Sequence, residues 1–167
     1  MKRSTKYIAL ILILAPSINS QSHWEKTNGP SGGSMRSIVK GPGNMVITGT
    51  SDGRIFYSND NGENWSRADN VFGRNIVDFV YCDDGSIIAA TVGNGGVQRS
   101  TDGGRTWFRA ALENEEVWTL EKDPFGHLYA GTRTGGHIWK STNNGYNWSI
   151  SHQASGENDV NDLNIIQ

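Results

Sequence analysis

The stretch "SNDNGENW" (residues 58–65) ends an apolar run and opens a polar one, and its pattern returns as "STDGGRTW" (100–107) and "STNNGYNW" (141–148). The three opening serines are spaced by 42 and then 41 residues. Self-similarity at a fixed period of this size marks one supersecondary unit per repeat. Each copy reads as a tight corner. Ser58, Ser100 and Ser141 close a strand, and Asp60, Asp102 and Asn143 are expected to accept hydrogen bonds from backbone N–H groups two residues on. Gly62, Gly104 and Gly145 supply the positive φ such a corner needs. Trp65, Trp107 and Trp148 are expected to bury an aromatic body beneath the turn and between units.

The similarity extends outward from the corners. Each unit opens on a short strand ("MRSI" at 35–38, "IVDF" at 76–79, "VWTL" at 117–120), followed by a turn glycine at Gly43, Gly85 or Gly126. A second apolar strand follows ("NMVITGT", "SIIAATV", "HLYAGTR"), then a third that starts at a glycine, the corner, and a fourth led by the tryptophan. Four short strands per period, with turn signals every eight to twelve residues, predict one β-propeller blade per repeat. No segment has a helical period long enough to compete. The fold class is therefore all-β: a β-propeller of four-stranded antiparallel blades, with about three complete blades and two partial ones.

The partial blades are read from the two ends. Trp24 lies 41 residues before Trp65, so "HWEKT" reads as a fourth strand, and Val160–Leu163 is in register with Val117–Leu120 as a first strand. Propellers typically need about four to eight blades. The expectation is a truncated or partial propeller, or one that closes only by self-association, since an open stack would leave bare edges that invite aggregation.

Composition sets the class. With 167 residues, 35% apolar and 19% charged, the chain fits an ordinary globular protein. Lys2, Arg3 and Lys6 precede the apolar run "YIALILILA" and the small polar stretch "SINSQS", which predicts a secretory signal peptide over residues 1–20 and a propeller over 21–167. That run is too short for a membrane helix. The expected location is secreted, periplasmic or at the cell surface. Removing those three cations leaves 12 basic against 17 acidic residues, a charge of −5, and the arginines are scattered, which argues against a nucleic-acid partner. Cys82 is the only cysteine, so no intramolecular disulfide forms, and its strand-like setting reads as a buried thiol. The sequons at Asn64 and Asn147 adjoin tryptophans and read as chance matches.

"STDGGRTW" resembles the Asp-box, or bacterial neuraminidase repeat, at every position of Ser-x-Asp-x-Gly-x-Thr-Trp. The other copies depart from it: Asn64 and Asn147 stand for Thr, and Asn143 for Asp, exchanges that keep turn-capping ability. The resemblance spans residues 24–167 and implies a β-propeller of the kind found in sialidases, xyloglucanase-like glycosidases, sortilin-type receptor domains and photosystem assembly factors. In that family the box itself is structural and carries no catalysis.

Function is therefore sought away from the boxes. Successive turns of an antiparallel blade alternate between its two ends, so the loops joining second and third strands, with the links between blades, form the opposite rim. That rim is expected to hold Asp52, Asn94, Arg133 and Thr134 from the loops, and Arg74, Glu113, Glu115 and Glu116 from the links. Arg36, Asp78 and Trp118, on first strands, are expected to face the channel. The reading is a module binding an extracellular protein or glycan, without cofactor or metal, since the histidines lack ligand spacing. The alternative is a fragment of a glycoside hydrolase, which would need two carboxylates such as Asp78 and Asp162. A sialidase would further need an Arg triad and a Tyr nucleophile, and Arg54-Ile55 lacks the proline of that family's "RIP" signature.

Overall fold

The computed structural model describes residues 29–30, 33–93, 95–133, 135–153 and 159–165. The signal peptide expected over residues 1–20 and the fourth strand expected at Trp24 lie outside the described residues, as do Asn94 and Thr134.

Twelve strands form three four-stranded antiparallel sheets, each meandering in sequence order. The first blade comprises β1 (Met35–Lys40), β2 (Val46–Thr50), β3 (Ile55–Ser58) and β4 (Ser66–Arg67). The second comprises β5 (Arg74–Tyr81), β6 (Ile87–Val92), β7 (Gly96–Ser100) and β8 (Phe108–Ala111). The third comprises β9 (Val117–Lys122), β10 (Leu128–Thr132), β11 (His137–Ser141) and β12 (Ser149–Gln153). There is no helix among the described residues. The tryptophans do not lead the fourth strands as expected; each stands one residue before its strand, because its indole is turned back to its own corner.

The blades stack face to face through two apolar cores. Ile47 and Ile55 of the first blade meet Ile76, Phe79, Ile87 and Trp107 of the second. Ile88, Ala90 and Val97 of the second meet Val117, Leu120 and Leu128 of the third. A strand covered on both faces is hydrophobic throughout rather than alternating. That is why "IIAAT" in β6 is wholly buried, while "SISHQ" in β12, at an outer edge, is wholly exposed. First strands approach closest where the neighbour offers no side chain: a Cβ at Gly49 would stand 2.5 Å from Ile76 Cγ2.

Val160 repeats that contact on the third blade. A Cβ at Gly131 would stand 2.5 Å from Val160 Cγ1, and Val160 N donates to Thr132 O at 3.0 Å. The register with Val117 read from the sequence thus has a structural counterpart, although Asp159–Ile165 forms no sheet. Cys82 is buried against the third blade, with its Sγ 3.8 Å from Asn144 O, and burial raises its thiol pKa.

Candidate functional site

The three corners are built alike from their own residues. Ser58 Oγ accepts from Gly62 N at 2.9 Å and donates to Asp60 Oδ1 at 2.7 Å. Ser100 and Ser141 repeat both bonds, with Asp102 and Asn143 as acceptors. Asp60 then accepts from Asn64 N, Asp102 from Thr106 N and Asn143 from Asn147 N, at 2.9, 3.0 and 2.9 Å. The reach of these acceptors is four residues, not two; the N–H two residues after each serine instead donates to that serine's Oγ. Each indole Nε1 donates to the carbonyl of the box glycine, as in Trp107 to Gly104 at 3.0 Å. Two consecutive residues take positive φ at every corner: Asn61 and Gly62, Gly103 and Gly104, Asn144 and Gly145. This is the Asn-Gly and Gly-Gly chemistry of primed hairpin turns.

The carboxylates are consumed by this bracing. Backbone donation from Asn64, with the Ser58 and Asn64 side chains, lowers the Asp60 pKa to about 2. At Asp102 burial works upward, and hydrogen bonds from Thr106, Ser100 and Arg105 outweigh it. Asn64 Nδ2 donates to Asp60 Oδ2 at 2.8 Å, so the first sequon asparagine is exposed yet already employed. Burial of the tryptophans is unequal: Trp107 is 2% exposed, whereas Trp65 and Trp148 are half-buried.

At the opposite end the loops and links meet. Asp52 accepts from Thr50 Oγ1 at 2.5 Å and pairs with Arg54 at 3.0 Å. The Thr50 bond lowers its pKa most; partial burial opposes and Arg54 assists. Gly53 lies against Gly73 and Arg74, and the Arg74 side chain lies against Gly93, so the first two blades share a continuous edge. Towards the third blade, Arg133 N donates to Glu116 O at 3.0 Å, and its Nε pairs with Asp159 at 3.1 Å. The Arg133 guanidinium sits 5.2 Å from the Trp118 ring centroid, a cation–π arrangement. His137 Nδ1 lies 4.0 Å from Glu115 Oε1, and its ring meets Trp139 edge-on. A hollow of about 440 Å³ opens beside it, lined by Leu112, Glu113, Asn114, Glu115 and Trp139.

The residues expected to face the channel separate. Trp118 belongs with Arg133 at the rim. Asp78 is half-buried between first strands, its Oδ1 accepting from Phe79 N and its Oδ2 from Leu120 N, both at 2.8 Å. Burial raises its pKa, these bonds oppose that, and the charge of Asp162 adds to the rise. Arg36 lies on the outer face of the first blade, beside a hollow that also touches Met35, Ile38 and Trp65. Arg54, His137 and Asp159 were not assigned to the rim from the sequence, which weighed Arg54 only against the "RIP" signature and His137 only as a metal ligand. Arg54 could have been, two residues after Asp52 in the same hairpin loop; Asp159 gives no local signal. Among the described residues no three His, Cys, Asp or Glu side chains stand close enough to hold a metal ion.

The family model described as the BNR/Asp-box repeat matches residues 56–67 and 98–109. Among solved structures, an ancestral GH74 enzyme aligns over 81% of this chain and 21% of its own, at 20% identity and a TM-score of 0.64. YCF48 bound to D1 peptide aligns over 77% of this chain and 43% of its own, at 20% identity and a TM-score of 0.53. The GH74 xyloglucanase from Xanthomonas campestris aligns over 68% of this chain and 22% of its own, at 19% identity and a TM-score of 0.53. The chain thus spans less than half the length of each of these structures. No curated protein sequence matches it significantly. The chain thus carries two matched BNR/Asp-box repeats on the four-stranded blades of a β-propeller fold.

Proposed function

We propose that the chain is a secreted binding module that takes an extracellular protein or glycan segment at the rim away from the boxes. The observation that carries this reading is two pairs at one end of the third blade, Trp118 of β9 with Arg133 of the β10–β11 loop and Glu115 of the link with His137 of β11: an aromatic face, a guanidinium, a carboxylate and an imidazole. Binding groups are characteristically placed on loops held by a rigid scaffold. Both signs of charge occur within this group, which suits a polar polymer with donors and acceptors along its length. YCF48, one of the similar structures, is bound to a peptide.

The test is binding of the purified chain to immobilised peptide and oligosaccharide arrays. Arg133→Ala and Trp118→Ala each abolish capture, while Glu63→Gln on the box face leaves it unchanged. Equal capture by all variants would remove the rim from consideration.

A glycoside hydrolase fragment is the second reading, favoured by one observation: Asp78 has a raised pKa, and Asp162 contributes charge to it. Against it, both Asp78 oxygens already accept backbone hydrogen bonds, which leaves neither unengaged for a glycosidic oxygen. Release of reducing ends from xyloglucan by the chain, lost in Asp78→Asn, would establish the second reading over the first.

A further inference from the structure

The outer face of the first blade leaves exposed the positions that are covered by a neighbouring blade in the second and third blades. Ile38 is 71% exposed, whereas its repeat equivalents Phe79 and Leu120 are 7% and 4% exposed, each covered by the preceding blade. Met35, equivalent to the fully buried Ile76 and Val117, is 44% exposed. Trp65, equivalent to Trp107, lines an apolar hollow of about 310 Å³ with Pro30, Met35 and Ile38.

The two interfaces inside the chain show what such a face accepts. A third-strand side chain of one blade reaches the fifth residue after the box serine of the next. At the first interface this pair is Tyr57 with Arg105, the guanidinium 5.8 Å from the ring centroid. At the second it is Arg99 with Tyr146, at 3.9 Å. The chemistry inverts, yet the pair stays complementary. The same positions on the two outer faces hold Lys140, opposite Tyr129 in the strand register as Tyr57 is opposite Ile47, and Glu63, which is exposed. Lys140 lies 5.2 Å from the Tyr129 ring centroid of its own blade, so the two outer faces carry a cation and an anion at matching positions. Beside Lys140, Tyr129 and Ile138 stand where Ile47 and Ile55, or Ile88 and Val97, make the internal interfaces.

We infer that a second copy of this chain seats its first blade on the third blade of its neighbour, with Glu63 of one pairing with Lys140 of the other. Two copies related by a two-fold axis form two such seats, and three blades from each give six, within the range of about four to eight that closes a propeller. The inner edge of the seat is held in this structure by Val160, over Gly131 and Thr119, as Ile76 lies over Gly49 and Ser37. An incoming β1 takes that place, so association competes with the Asp159–Ile165 segment.

Sedimentation velocity on the full chain tests this. A concentration-dependent dimer is expected. Glu63→Lys, at an exposed position, and Lys140→Glu, on half-buried β11 and checked for folding by circular dichroism, each weaken it about tenfold or more by setting like charges together. Mixing the two variants restores a mixed dimer, because both seats then hold opposite charges. Val160→Asp loosens the competing segment and tightens association. A monomer at every concentration overturns the inference. So does a dimer indifferent to the two charge reversals, one that mixing fails to restore, or one that Val160→Asp leaves unchanged or weakens.

Discussion

Asp60 and Asn143 occupy the same corner with different charge, and both accept the backbone N–H four residues on. The turn therefore needs an acceptor rather than an anion, which makes the pH dependence of the corners separable from their geometry. Asp60, lowered to about 2 in the folded chain, has an ordinary value near 3.9 when unfolded. A depressed folded value contributes stability that is full above the unfolded value and is lost as pH falls through the folded one. Asp60→Asn is thus expected to flatten the loss of melting temperature between about pH 4 and pH 2. A variant that tracks the parent across that window would contradict the role given to this carboxylate. Tryptophan burial gives a second prediction. Trp107→Ala is expected to cost about 3 to 5 kcal/mol in urea unfolding, as loss of a fully buried large aromatic does, and Trp65→Ala clearly less. The corner was legible in sequence because all its bonds lie within five residues. Unequal burial of three identical tryptophans was not, because it depends on which blade stands opposite.

The blade, as an element, was equally legible in its strand order, since short apolar strands punctuated by glycine turns every eight to twelve residues dictate a meander. The alternation of its turns placed boxes at one end and the Asp52, Arg74 and Arg133 loops at the other. What the pattern could not supply is contact between positions remote in sequence. Arg133 meets Trp118 and Asp159 only after the link and the third blade have folded, and Asp78 finds Leu120 N across two first strands. Close approach of first strands also has no one-dimensional signature, yet Gly49 depends on it. Gly49→Ala would force the new methyl against Ile76, with an expected cost of about 1 to 3 kcal/mol by chemical denaturation. The control is Ser51→Ala, in the hairpin loop beyond the same strand, expected to cost well under half as much.

At the scale of the whole molecule, three blades make two interfaces, so the middle blade is sheathed on both faces and its neighbours on one. Hydrogen exchange reports on such gradients, because strands with covered faces open only with the global transition while edges fray. The proposed export makes a separate prediction: protein recovered outside the cytoplasm is expected to begin near Gln21 or His23, and N-terminal sequencing that finds Met1 there would refute a cleaved leader. The stacked-blade architecture meets its most direct test in site-resolved amide exchange on the folded chain. The prediction is slowest exchange in β6, in β7 and at the Gly104 amide of the corner that follows, held by Ser100, intermediate exchange in β2 and β10, and fastest exchange in β4 and β12. Protection in β12 equal to that in β7, or uniform protection across the three sheets, would contradict a stack in which the second blade is the covered core.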